Sequence, residues 1–303
     1  MAATFHSVSR LGTLAWLLAG AAVLAALAWL ERDNLSTLPG QLISIDWRWA
    51  AIALLLLASV DLAKALRWQA LYGRSRPSFR RVLQALILGQ AANTLIPLRL
   101  GDAVRVGWAA PTPGGVARGT AGLVLSKAID AVVLVSLIAW VFGASLVTQV
   151  QLLPLIALGL LVAIVLGVAQ RARLAGWQHG SSVPALLAGI GRYARELRPS
   201  SVGIVLLTSA FAWIVGGIAN LAVLAAVGGP PTVDFGARIL GSAYVAGLLP
   251  APPGRWGVFE GTVAAALVAG GMDLPLAIAA AVVLHILQLI EIGLLVLAAT
   301  RWR

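Results

Sequence analysis

Residues 248–260, from Leu248 to Glu260, read LLPAPPGRWGVFE. It lies inside an apolar region yet carries Pro250, Pro252 and Pro253, Gly254 and Gly257, and the charged Arg255 and Glu260. A continuous membrane helix cannot absorb such a sequence, because each proline removes a backbone donor and lipid supplies no water in exchange. Irregular backbone at membrane depth is tolerated where it is buried in protein or lines a cavity, so the break itself marks a candidate site.

The surrounding chain places that depth inside a membrane. Its 303 residues are 60% hydrophobic and only 11% charged, with a mean hydropathy of +0.94. Soluble domains carry about 25% charged residues and lack repeated apolar runs of roughly 20. A polytopic membrane protein is therefore expected. The net charge of +11 would suggest nucleic acid in a soluble chain. Here the basic residues sit in short loops between apolar runs, where topology and anionic lipid account for them. With no cysteine, disulfides and thiolate chemistry are excluded. The first apolar run, 11–30, is followed by Glu31, Arg32 and Asp33 rather than by small residues, so a span is expected there rather than a cleaved signal.

Taking about 17–25 residues per span, helices are expected near 11–30, 49–68, 119–142, 152–169, 201–228 and 275–299. Regions 82–110 and 236–270 are too interrupted for simple spans. The first breaks at Pro97 and resumes after Arg99 and Gly101; the second breaks at Pro250, Pro252 and Pro253 and resumes near Gly257. Each reads as a re-entrant helical hairpin that returns to its side of entry. On that scheme one side collects Arg10, Lys64, Arg67, Arg74, Arg76, Arg80, Arg81, Arg118, Arg171, Arg173, Arg192, Arg195, Arg198, Arg301 and Arg303, while the other holds Arg32 and Arg48. Cytoplasmic enrichment in Lys and Arg then places both termini inside, in a multi-pass protein of the inner (cytoplasmic) membrane. Trp29, Trp47, Trp49 and Trp140 fall at the outer boundary and Trp68 and Trp302 at the inner one, as interfacial belts require. The run with Arg192, Tyr193, Arg195 and Arg198 is expected on the inner surface, either facing anionic headgroups or simply setting topology.

The break has an echo 153 residues upstream: LIPLRLGD at Leu95–Asp102 against LLPAPPGR at Leu248–Arg255. Both read Leu, aliphatic, Pro, three residues, Gly and a charge. One hairpin enters from each side, the arrangement of an inverted repeat whose broken helices meet near the midplane. The expected fold is thus an all-α polytopic membrane protein, with about six full transmembrane helices and two re-entrant hairpins. A single domain, 1–303, would contain an N-terminal helix and outer loop (1–48) and a first repeat (49–142, hairpin 82–110). A linking helix and basic cytoplasmic loop (143–200) would lead to a second repeat (201–299, hairpin 236–270).

Charges at depth supply the candidate binding residues: Arg99, Asp102, Arg105, Lys127, Asp130, Arg255, Glu260 and His285, with Glu291 further along the last helix. A charge at the bilayer centre costs at least ~2.5–3.5 kcal/mol, so these groups should pair or face a polar cavity. Lys127 and Asp130, three apart, share a helical face and can pair locally. Two readings stand side by side. In one the charges neutralise each other and hold the hairpins, whose breaks are Pro97, Gly101, Pro250, Pro253 and Gly254. In the other, Arg99, Arg105 and Arg255 present forked donors to a phosphate, helix starts after Gly101 and near Gly257 add backbone N–H groups, and Asp102 and Glu260 orient the arginines. Asp130, His285 and Glu291 are candidate proton carriers.

Enzymatic chemistry finds no foothold: no two histidines have metal-ligand spacing, and neither a nucleophile elbow nor a phosphate-cradling glycine loop occurs. A paired-carboxylate hydrolase would require Asp102 and Glu260 to meet with water. No catalytic residue, metal or cofactor is expected.

The segments NTLIPLRLGDAVR (Asn93–Arg105), SKAID (Ser126–Asp130) and LLPAPPGRWGVFE together resemble the flippase-like membrane family typified by the transmembrane region of lysylphosphatidylglycerol synthases, over roughly residues 50–299. The family pattern in the first hairpin is matched by Pro97, Arg99, Gly101, Asp102 and Arg105, with Asp where Glu is usual. Departures are Ser126 and Lys127 where Glu-Arg is common, Arg255 where the second hairpin usually has a second glycine, and His285 where an arginine is common. The resemblance implies a lipid translocase for a phosphate-bearing lipid, an anionic phospholipid or a prenyl-phosphate-linked lipid, without the soluble aminoacyl-transfer domain of the namesake enzymes. The alternative is a non-transporting membrane partner that presents a lipid intermediate to a glycosyltransferase or lipid synthase. A lipid-synthesising enzyme or a second copy of the chain are candidate partners; nucleic acid is not.

Overall fold

The computed structural model describes residues 44–73, 76–95, 101–111, 113–146, 197–247, 249, 251 and 253–301. Among them the secondary structure is helical: α1 (Trp47–Leu71), α2 (Phe79–Leu95), α3 (Gly101–Ala109), α4 (Pro113–Leu146), α5 (Pro199–Ala226), α6 (Val233–Ala246), α7 (Val258–Val268) and α8 (Leu274–Arg301), with a 3-10 turn at Pro253–Arg255. Three helices are long and apolar enough to cross a membrane: Trp47–Leu71, Pro199–Ala226 and Leu274–Ala299. They coincide with the expected spans 49–68, 201–228 and 275–299. The expected span 119–142 lies within α4, whereas 11–30 and 152–169 lie outside the described residues.

Helices end at the described edges of both interrupted regions, and 96–100 lie outside the described residues. Region 82–110 holds α2 and α3 with 96–100 between them, and 236–270 holds most of α6, the 3-10 turn and α7. Helix α7 packs against both α6 and α8, so α6 and α7 form a helical hairpin about the break. Local chemistry explains several starts. The Asp46 carboxylate accepts from the Arg48 N–H at the head of α1, and the Thr232 hydroxyl accepts from the Phe235 N–H at the head of α6. One turn into α6, Arg238 pairs with Asp234 at 2.6 Å.

The chain forms two compact units interleaved in sequence. One gathers described residues of 44–58, 87–104 and 215–301, the other those of 59–86, 105–146 and 197–214. In the first, Val223, Ile239, Phe259, Leu267 and Leu284 form an apolar core with a set of alanines from α8, Ala277 and Ala279–Ala281, that are wholly buried. Small residues let helices approach closely where apolar transfer gives little drive, as in lipid. Large apolar side chains point outward on the candidate spans, among them Leu55, Leu207 (73% exposed) and Leu297. Exposed apolar surface on this scale is the lipid-facing pattern of a membrane protein.

Candidate functional site

The α6–α7 break is built on left-handed backbone. Gly254 (φ 76) and Gly257 (φ 79) adopt conformations that glycine takes freely, and Arg255 (φ 57) adopts one that an L side chain resists. This gives a steric reason for the glycine that the resemblance leads one to expect at 255. The Arg255 guanidinium lies 5.5 Å from the Phe259 ring centroid. It also reaches back to Gly247, the C-cap of α6, where a Cβ would stand 3.7 Å from Nη1. A cation there faces the negative end of that helix.

Glu260 lies in the first turn of α7 and accepts from the Gly257 N–H through Oε2 at 2.8 Å. Its Oε1 meets His285 Nδ1 of α8 at 2.6 Å. Glu260 is 5% and His285 1% exposed. Two rings flank the imidazole, Trp256 at 4.8 Å and Phe259 at 4.7 Å between centroids. His285 Nε2 is buried without a hydrogen-bond partner.

The first break repeats one element of this chemistry. Asn93 of α2 accepts from the Gly101 N–H at 2.9 Å, so in both breaks the amide of the glycine opening the second helix is held by a side-chain oxygen. A Cβ at Gly101 would collide with the Gly89 carbonyl oxygen and come within 2.7 Å of Asn93. Gly101 thus serves close approach, whereas its counterpart Gly254 serves a positive φ. At the two helix starts expected to offer N–H groups to a phosphate, the Gly101 and Gly257 amides already have acceptors inside the protein. Asp102 follows in the first turn of α3, where a carboxylate suits the helix dipole.

The second unit organises other predicted residues around α1. Arg67, 4% exposed, makes a two-pronged ion pair with Asp130 of α4, both N–O distances being 2.8 Å. The Trp213 indole also donates to Asp130, at 3.2 Å. The next residue, Trp68, is fully buried, donates to the Gly119 carbonyl at 3.2 Å and lies under the Arg105 guanidinium at 4.2 Å. Consecutive residues of one helix thereby fix Asp130 and Arg105.

These contacts correct one expectation and add to two others. Arg67 and Lys64, both inside the expected span 49–68, lie within α1, where Lys64 pairs with Asp61 at 3.1 Å. Trp68 is a packing residue rather than part of an interfacial belt, while Trp47 is 70% exposed in line with one. Asp130 is held by Arg67, 63 residues away, a long-range pair that the local spacing of Lys127 and Asp130 did not reveal. Lys127 itself is exposed on α4. Arg99, Pro97 and Pro250 lie outside the described residues; Pro253 opens the 3-10 turn. Among the described residues no three His, Asp or Glu side chains gather as a metal set.

Compared with protein-family models, residues 16–295 match the one described as the lysylphosphatidylglycerol synthase TM region. Searches of curated proteins and of solved structures gave no match.

Proposed function

We propose that this chain, which belongs to the lysylphosphatidylglycerol synthase TM region family, is a lipid translocase rather than an enzyme. Family membership gives it a membrane lipid-related function. The finer reading is that it moves a phosphate-bearing lipid between leaflets, the head passing the two broken helices while the chains stay in the bilayer. The breaks then act as re-entrant hairpins of an inverted repeat, in an inner-membrane protein with both termini cytoplasmic. The basic loop residues still favour that orientation after Arg67 and Lys64 are removed from the count.

The observation that carries this reading is the α6–α7 break, where an arginine on left-handed backbone stands beside a buried carboxylate–histidine pair within an apolar helical unit. Packing alone gains nothing from such groups, since each buried polar atom costs desolvation that an alkyl side chain avoids. An inside-negative potential favours outward movement of an anionic head that carries no cation with it by about 2.3 kcal/mol per charge per 100 mV.

Purified protein in liposomes containing dithionite-accessible fluorescent phosphatidylglycerol tests the proposal. Wild type should accelerate exchange between leaflets, and the Arg99→Ala, Arg255→Ala double variant should lose most of that acceleration. Failure to move any anionic phospholipid or prenyl phosphate, with binding retained, would replace the translocase with the lipid-presenting partner. Equal activity in the variant would remove these arginines from the site.

A further inference from the structure

We infer that Glu260 and His285 form a proton-binding site which takes up one proton together with an anionic headgroup, so that lipid movement is coupled to a proton gradient. The inference rests on the translocase reading above.

Glu260 accepts from the Gly257 N–H at Oε2 and contacts His285 Nδ1 at Oε1. The resting pair is taken as an ionised carboxylate accepting from Nδ1–H. The remaining nitrogen, Nε2, then carries a lone pair, and it is the atom left buried without a partner. Buried polar atoms are nearly always satisfied, and one that is not calls for a ligand or a functional explanation.

A proton added at Nε2 takes the pair from a net charge of −1 to zero, as imidazolium beside carboxylate. The new Nε2–H needs an acceptor, and a phosphate oxygen is a strong one. Before protonation the pair repels an anionic head; afterwards that repulsion is lifted and a donor is offered. Proton and headgroup therefore favour each other's binding, and the coupling is reciprocal.

The surroundings leave the pair electrically distinct. On the elements packed about it, the charged groups are Arg255 in the turn, Asp234 and Arg238 paired with each other on α6, and Glu291 and Arg301 further along α8. Within the same unit, α1 and α5 contribute apolar side chains such as Ala53 and Val223. The pair also reaches the backbone, because the carboxylate that binds the imidazole holds the Gly257 amide beside three left-handed residues. Any change in its charge alters the cap on which the turn depends.

The test uses liposomes with fluorescent phosphatidylglycerol, a pH gradient and a potential clamped by potassium and valinomycin. Coupling of one proton per lipid should enrich the probe in the leaflet facing the alkaline side, up to about tenfold per pH unit. In His285→Gln and Glu260→Gln the ratio should stay near one whatever the rate. Wild type that moves lipid without responding to the gradient, or His285→Gln that still enriches it, overturns the coupling and leaves the translocase standing. If no lipid moves, the translocase reading fails and the coupling with it. A second measurement then judges the proton site alone, since Trp256 stacks 4.8 Å from the imidazole. The Trp256 emission, taken as wild type minus Trp256→Phe, should be quenched on acidification and should lose that response in His285→Gln. An unchanged signal across the titration overturns the site.

Discussion

Arg255 offers a prediction whose sign differs from ordinary experience. In a helix interior, replacing a residue by glycine is worse than replacing it by alanine by about 1 kcal/mol. At 255 the order should reverse. The residue has φ 57, and left-handed backbone costs a non-glycine L residue roughly 1–2 kcal/mol, which alanine also bears. Glycine escapes that cost but returns about 0.5–1 kcal/mol through the greater freedom of its unfolded chain. Both variants lose the same guanidinium contacts with Phe259 and the α6 terminus, so those terms cancel in the comparison. Arg255→Gly should therefore be the more stable of the two by up to about 1.5 kcal/mol, a difference of up to about 2 °C in thermal unfolding in one detergent. Lipid movement should fall equally in both, because both remove the charge. Alanine matching or exceeding glycine in stability would refute the backbone argument. Glycine that keeps full transport would show that the guanidinium does not handle the lipid.

Two further substitutions probe other contacts. Arg67→Ala should destabilise the protein by about 3 kcal/mol, the low end for a buried pair, by leaving the part-buried Asp130 without its cation, while Arg67→Leu with Asp130→Leu should recover most of the loss; a double-mutant cycle on thermal unfolding measures the coupling. Gly101→Ala should cost about 2 kcal/mol or more, since its methyl collides with the Gly89 carbonyl and displaces Asn93 from the Gly101 amide. Asn93→Leu should reproduce only the hydrogen-bond share of that loss, read as a smaller drop in midpoint temperature.

The spans were legible because their signal is local. Apolar length placed α1, α5 and α8 within three residues at each end, and proline and glycine placed the break between α6 and α7. Glu260 and His285 were also singled out, as charged or titratable groups at apolar depth. Their partnership was not legible, because it depends on α7 packing against α8, and 25 residues separate the two. The same limit hid Arg67. Four residues from the end of α1 and followed by a run of arginines, it reads as an inner-edge charge that sets topology; only the fold brings Asp130 to it. Trp68 was misplaced likewise, its neighbourhood resembling an interfacial belt until Gly119 and Arg105 close over it. The αL backbone at 255 left one trace in the sequence, the departure from a pattern that usually has glycine there.

The Arg67–Asp130 pair also sets a clock for biosynthesis. Its partners are 63 residues apart, which at about 5–20 residues per second takes a ribosome roughly 3–13 s to translate. Throughout that interval α1 exists while its counter-ion does not. A bare guanidinium in hydrocarbon would oppose insertion, yet Arg67 sits one turn from the end of its helix, close enough for its long stem to carry the charge to the interface. The nascent chain can thus park that arginine at the membrane edge and draw it inward once α4 arrives, making assembly of the second unit a late event that waits on synthesis of the acid.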